Sequence, residues 1–157
     1  ITKRALYQHF RSKDDLIAAA LAHSSQLAIA RLQDFRRPTR RDELIDSFFA
    51  QLADWASTPR WSGGGFTRVV VELADQRGHP ARAIARKHKM AVEEWLADAL
   101  SAARGGSPHD RAREVMLLLE GAMALMLIHG DRSYAMAAAH AAKMLVKPGA
   151  RGARRTV

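Results

Sequence analysis

Four basic side chains, Lys3, Arg4, Arg11 and Lys13, surround the segment Leu6-Tyr7-Gln8-His9-Phe10, and no acid follows until Asp14. Clustered cations without counter-charges attract polyanions, either nucleic acid or an anionic membrane surface. A second basic concentration, Lys147, Arg151, Arg154 and Arg155, also lacks an acid, whereas the long middle is nearly balanced. The net charge of +9 therefore resides mostly at the two ends of the chain.

The other residue types with chemical potential do not assemble into sites. There is no cysteine, which removes disulfides, thiolate catalysis and cysteine-ligated metals, and fits a reducing cytoplasm. Of the seven histidines, His79 and His88 are too far apart for one helix face, and His109 opens another segment. No H-E-x-x-H or H-x-x-E-H spacing occurs, so no metal site is expected. Gly63-Gly64-Gly65 follows no strand and lacks the Lys-Ser of a phosphate loop. No nucleophile and base pair up by spacing, so no catalytic residue is assigned and no cofactor is expected.

The elements that must position the basic segment are helical. Sustained period-two alternation is missing, and glycine and proline separate long segments with helical spacing, so the chain is expected to be all-α. At 157 residues it fits one core with at most an appendage. Thr2 to Phe10 can form a short helix capped by Thr2, unstable unless it leans on neighbours. Ser12, followed by Asp14 and Asp15, is a good N-cap for a long helix with the stripe Leu16, Ile17, Leu21, Ser24, Ala28, Leu32 and Phe35, closed by Pro38. From Arg41 to Ser57, Leu44, Ile45, Phe48, Leu52 and Trp55 define another apolar face. A short helix is expected over 66–76 and a long one over 81–104, the latter with Ile84, His88, Val92, Trp95, Leu96 and Ala99 on one side. Gly105-Gly106-Ser107-Pro108 is the strongest boundary, with Ser107 as N-cap and Pro108 at the first helical position. Two helices follow, Asp110 to His129 and Ser133 to Val146, before a Gly/Arg-rich tail expected to be flexible.

The run from Val115 to Ile128 is too short for a membrane span and is interrupted by Glu120, so no membrane role is expected. A helix apolar on nearly every face must be covered all round, and one small core covers only part of it. A second copy of the chain is the natural cover. The expected dimer interface comprises Leu118, Gly121, Ala122, Leu125, Ala137, Ala138, Ala141 and Leu145, on two helices from each subunit. Among the middle helices, Trp55, Trp61, Phe66, Trp95, Met123 and Met126, with His88 as a polar handle, offer the lining of an apolar small-molecule pocket.

The opening stretch, Ile1-Thr2-Lys3-Arg4-Ala5-Leu6-Tyr7-Gln8-His9-Phe10-Arg11-Ser12-Lys13-Asp14-Asp15-Leu16, resembles the pattern V-[ST]-x-G-x-[LI]-Y-x-[HY]-F-x-[SN]-K-[ED]-x-L of the TetR family of bacterial transcriptional regulators. The resemblance implies a partial helix-turn-helix DNA-binding segment followed by a helical ligand-binding and dimerisation domain. It divides the chain into a recognition-helix remnant at 1–12, a linking helix at 13–35, a ligand-binding and dimerisation domain at 36–147 and a basic tail at 148–157. It further implies a cytoplasmic homodimeric regulator, acting as a repressor on double-stranded operator DNA and released by a small-molecule inducer. Thr2, Lys3, Arg4, Tyr7, Gln8, His9 and Lys13 become the DNA-binding candidates. Tyr7 and Lys13 suit phosphate contact, Arg4 suits guanine and Gln8 adenine. Arg4 stands where the family pattern has Gly. The segment from Gly64 to Ala74, with His79-Pro80 after it, is similar to a subgroup pattern in which Gly65 would be Cys. The chain starts at Ile1, so the first two helices of the DNA-binding domain are expected upstream, and the sequence as it stands is expected to bind operator weakly or not at all. The competing readings are a helical ligand-binding protein or enzyme without a DNA role, and a binder of acidic lipid or partner proteins through the basic ends.

Overall fold

The computed structural model describes residues 9–35, 40–59, 61–101 and 107–146, and among them six helices can be bounded and no strand occurs. They are α1 (Lys13–Gln33), α2 (Arg41–Ala56), α3 (Gly65–Glu72), α4 (Pro80–Leu100), α5 (Pro108–His129) and α6 (Ser133–Val146). The all-α expectation holds. The chain falls into two compact units, one formed by residues 1–35 and 64–92, the other by 36–63 and 93–157.

In the first unit, α1 starts as the sequence predicts. Ser12 is extended, and its Oγ accepts the Asp15 N–H at 3.0 Å, satisfying one of the amides that a helix start leaves without a partner. The central cluster of this unit is thin: Leu21, Ala81 and Ala85 are buried, with Ile17, Phe66, Val69, Val70, Leu73 and Ile84 only partly covered around them, and Phe35 and Val92 are buried besides. Of the predicted α1 stripe, only Leu21 and the following Phe35 are buried, and Ser24 is exposed, turning its hydroxyl to the Ala20 carbonyl. The helix α3 ends at Glu72 rather than reaching residue 76. The turn just past its end is held from the next helix, where Arg82 Nη1 donates to Leu73 O at 3.2 Å and to Ala74 O at 2.8 Å.

In the second unit, α2, α5 and α6 pack on one another, joined by the C-terminal part of α4. Phe49, Ile45, Leu96, Leu100, Val115, Met126 and Val146 are its fully buried large side chains. Trp55 departs from the expected buried face of α2: it is 42% exposed, because it lies in the last turn, beyond the reach of the α2 core residues Leu44 to Leu52. Pro108 does open α5, but the Ser107 side chain makes no capping bond. Gly130 closes α5 at φ 67, a left-handed conformation that glycine adopts without a Cβ penalty, with its N–H on Met126 O. The next helix is started by Asp131, which accepts the Ser133 N–H at 2.8 Å and the Ser133 hydroxyl at 2.7 Å. Gly63, at φ 79, approaches α5 so closely that a Cβ there would lie 2.7 Å from Leu127 Cδ2. Among the described residues no helix is long and apolar enough to cross a membrane.

Candidate functional site

The basic N-terminal candidates divide at residue 9. Thr2, Lys3, Arg4, Tyr7 and Gln8 lie outside the described residues. His9 is helical and exposed, Phe10 is half-buried, and Lys13 is exposed at the first position of α1. The start of α1 is partly occupied by the protein itself, since Ser12 takes the Asp15 amide and its carbonyl accepts the Leu16 N–H. An anion reaching this end would meet the Lys13 ammonium and the remaining first-turn amides, opposed by the carboxylates of Asp14 and Asp15.

One contact at this helix start escaped the sequence reading. His79, with its side chain 1% exposed, points Nε2 at Asp14 Oδ1 from 3.3 Å. Its Nδ1 accepts the Ala81 N–H at 3.1 Å, so the neutral ring carries its proton on Nε2, on the Asp14 side. The imidazole thus caps α4 and approaches the first turn of α1 together. A His immediately before a helix-initiating Pro was the available signal, but sequence spacing could not name Asp14 as its neighbour.

The seven pocket candidates do not converge on one cavity. In the first unit, Phe66 stacks on the buried His88 ring at 3.7 Å and 9°, and Ser25 Oγ lies 3.0 Å from His88 Nδ1. Phe66 also lines a groove of about 620 Å³ on α3 and the start of α4, alongside Val70, Ala85 and several cations. In the second unit, Trp61 packs edge-on to Trp55 at 6.3 Å and, with Met126 and Leu127, lines a smaller cavity of about 390 Å³. The Trp61 indole N–H in that lining is buried and has no acceptor among the described residues. Trp95 is core, stacked on Phe48 at 5.7 Å, and Met123 is buried in α5. Trp55, His88, Trp95 and Met123 line neither cavity.

The expected dimer face needs a correction of register. Ala122 and Ala138 are buried within this single chain, so a second copy cannot cover them. On α5 the inward face is Val115, Leu119, Ala122 and Met126, spaced at helical repeats, which leaves Leu117, Gly121, Leu125 and Ile128 on the outer side. Leu117 and Ile128 are 74% and 72% exposed, large values for residues of that size. On α6 the outer residues are Met136, Ala137, Met144 and Leu145, while Leu118 of α5 and Ala141 of α6 are half-buried.

No family sequence profile and no curated protein sequence matches this chain. Solved structures do. A TetR-family transcriptional regulator from Streptomyces coelicolor is similar at TM-score 0.77 and 21% identity, over 93% of this chain and 77% of that one. A TetR transcriptional regulator from Legionella pneumophila is similar at TM-score 0.80 and 20% identity, over 94% and 81%. This chain has the TetR fold. NemR of Escherichia coli, in its reduced form, is similar at TM-score 0.79 and 21% identity, over 96% and 83%. The TetR-type likeness therefore runs through both units rather than resting on the opening stretch alone. Among the described residues no group of three His, Asp or Glu could hold a metal ion.

Proposed function

We propose that this chain belongs to a DNA-binding transcriptional regulator of the TetR family. The observation that carries the reading is the coincidence of two independent likenesses: the TetR fold over more than nine-tenths of the chain and the recognition-helix pattern from Ile1 to Leu16. Thr2, Lys3, Arg4, Tyr7, Gln8 and His9 read the duplex or its phosphates, and Lys13 anchors the start of α1 on a phosphate. The protein works in the cytoplasm as a homodimer, with the outer faces of α5 and α6 against their mates. Exposed Leu117, Ile128, Met136 and Met144 support that interface, because contiguous apolar surface of this kind on two adjacent helices calls for a cover. The regulator is a repressor, released when a small, largely apolar ligand favours a dimer geometry unsuited to the operator. The buried Trp61 N–H beside Met126, without an acceptor among the described residues, supports a ligand with one acceptor on an apolar body.

No catalytic role is assigned. Ser25 and His88 have the composition of a nucleophile and base, yet neither lines either cavity, and the imidazole is covered by Phe66.

The test is a gel shift of a palindromic promoter fragment by the protein, with and without Tyr7→Phe combined with Lys13→Ala. The double variant should weaken binding on all sequences and reduce the slope of affinity against salt by about one for the lost phosphate charge. Unaltered affinity and slope would remove Tyr7 and Lys13 from the interface.

A further inference from the structure

We propose that the groove on α3 and the start of α4 is a binding site for an amphipathic organic anion, a carboxylate on an apolar body. It lies entirely in the first unit and stands independently of the DNA-reading proposal.

Two features of the groove pull toward different chemistries, and only a molecule with both satisfies it. Its floor is apolar, with Phe66, Val70 and Ala85, and its rim carries Arg77, Arg82, Arg86 and Lys89. Among the described residues no Asp or Glu lines it; Asp14, which meets His79, is not part of the lining. Its volume of about 620 Å³ suits a single small molecule.

The charge arrangement is unfavourable for the helix that bears it. Between Pro80 and Val92, α4 carries Arg82, Arg86, Lys87 and Lys89 and no acid, and its first turn has no acidic residue. Cations at a helix start oppose the macrodipole, and Arg82 with Arg86, then Arg86 with Lys89, repel at adjacent-turn spacing. The other long helices of this chain follow the opposite rule: α1 opens with Asp14 and Asp15, α2 with Asp42 and Glu43, and α5 with Asp110. A bound anion removes both penalties in α4. Arg82 is already oriented for it, because the Leu73 and Ala74 carbonyls hold its Nη1 and leave the Nε and Nη2 hydrogens as donors among the described residues.

The apolar floor selects the body of the ligand. A duplex keeps its bases stacked inside and presents phosphates without an apolar counterpart to Val70 and Phe66, and a free inorganic anion would leave that floor in water. An alkyl or aryl carboxylate covers the floor and neutralises the rim.

The experiment is calorimetric titration of the intact protein with octanoate, 1-octanol and acetate, with phosphatidylglycerol vesicles as a separate arm. Octanoate should bind at one per chain, with 1-octanol weaker by about fivefold or more, roughly the worth of a few exposed ion pairs, and acetate weaker by about a hundredfold or more for the lost apolar body. Arg86→Gln combined with Lys89→Gln should weaken octanoate roughly fivefold while leaving the thermal melt of the helices unlowered, and slightly raised by the relief of repulsion. Val70→Asp provides a second variant, expected to abolish octanoate binding by repulsion at the floor. Equal affinity for octanol and octanoate would overturn the proposal, as would unchanged octanoate affinity in folded variants. Vesicle binding without octanoate binding would overturn it in favour of a membrane surface.

Discussion

The two units of this chain are built from different interiors. Among the described residues all seven of the fully buried large side chains, Phe49, Ile45, Leu96, Leu100, Val115, Met126 and Val146, belong to the second unit. The first relies on Leu21 with two alanines, Ala81 and Ala85, and on Phe35 and Val92, none of the larger ones fully buried, and contains both buried imidazoles, His79 and His88. Burial of a large apolar side chain is worth about 1.5–3 kcal/mol, whereas an alanine contributes far less and a buried imidazole must find partners for its nitrogens. The second unit is thus the scaffold. The first, beside the basic N-terminal segment in sequence, is the part whose packing can change at low cost, as expected of elements that open or shift locally.

The largest expected effect lies in the scaffold. Phe49→Ala should destabilise the protein by about 3–5 kcal/mol in urea unfolding, since Phe49 is fully buried and packs edge-on against Phe48. A cost below about 1 kcal/mol would break the contrast between the units, because cavity formation in a dense core is expensive. In the first unit, Leu21→Ala should cost less, about 2 kcal/mol, because its surroundings are half-open and can collapse. Hydrogen exchange provides the direct comparison: α3 amides such as those of Val70 and Val71 should exchange orders of magnitude faster than those of Ala139 and Ala142 in α6. Equal protection would show the first unit to be as firmly held as the second.

The caps sharpen the comparison at smaller magnitude. Ser12→Ala should cost about 1 kcal/mol, read as a lowered melting midpoint, and Ser12→Asp should restore most of it by supplying the same acceptor. At the start of α6, the Ser133 hydroxyl and then the Ser133 N–H donate to Asp131 and hold its carboxyl below the ordinary 3.8. A lowered folded value means that the contribution is present above 3.8 and fades as pH falls through the folded value. Asp131→Asn should therefore flatten the acid limb of the stability profile slightly, and its full exposure keeps the effect the smallest of the set.

Local signals were legible where the chain itself supplies the partner. The bounds of α6 follow from Ser133 to Val146 as the apolar periodicity dictates, and Ser12 with its two acids announced α1 correctly. The end of α3 was overrun because its terminating partner, Arg82, comes from the next helix and leaves no local mark. Periodicity likewise identifies an apolar face without naming what covers it. In α5, apolar on nearly all sides, small size could not distinguish the inward Ala122 from the outward Gly121. The pocket candidates were chosen by residue type, and the same blindness dispersed them between two cavities and the core. The specific motif at the start of the chain carries the functional reading, although half of its residues, 1–8, lie outside the described part.

Gly63 gives this molecule a constraint on its own divergence. With a left-handed backbone, any side chain at 63 is strained whatever the space, and its first carbon would also need Leu127 Cδ2, 2.7 Å away, to swing aside. Two positions distant in the chain share this contact, yet a smaller residue at 127 would relieve only the crowding and leave the backbone penalty at 63, so the glycine is held by its own dihedral.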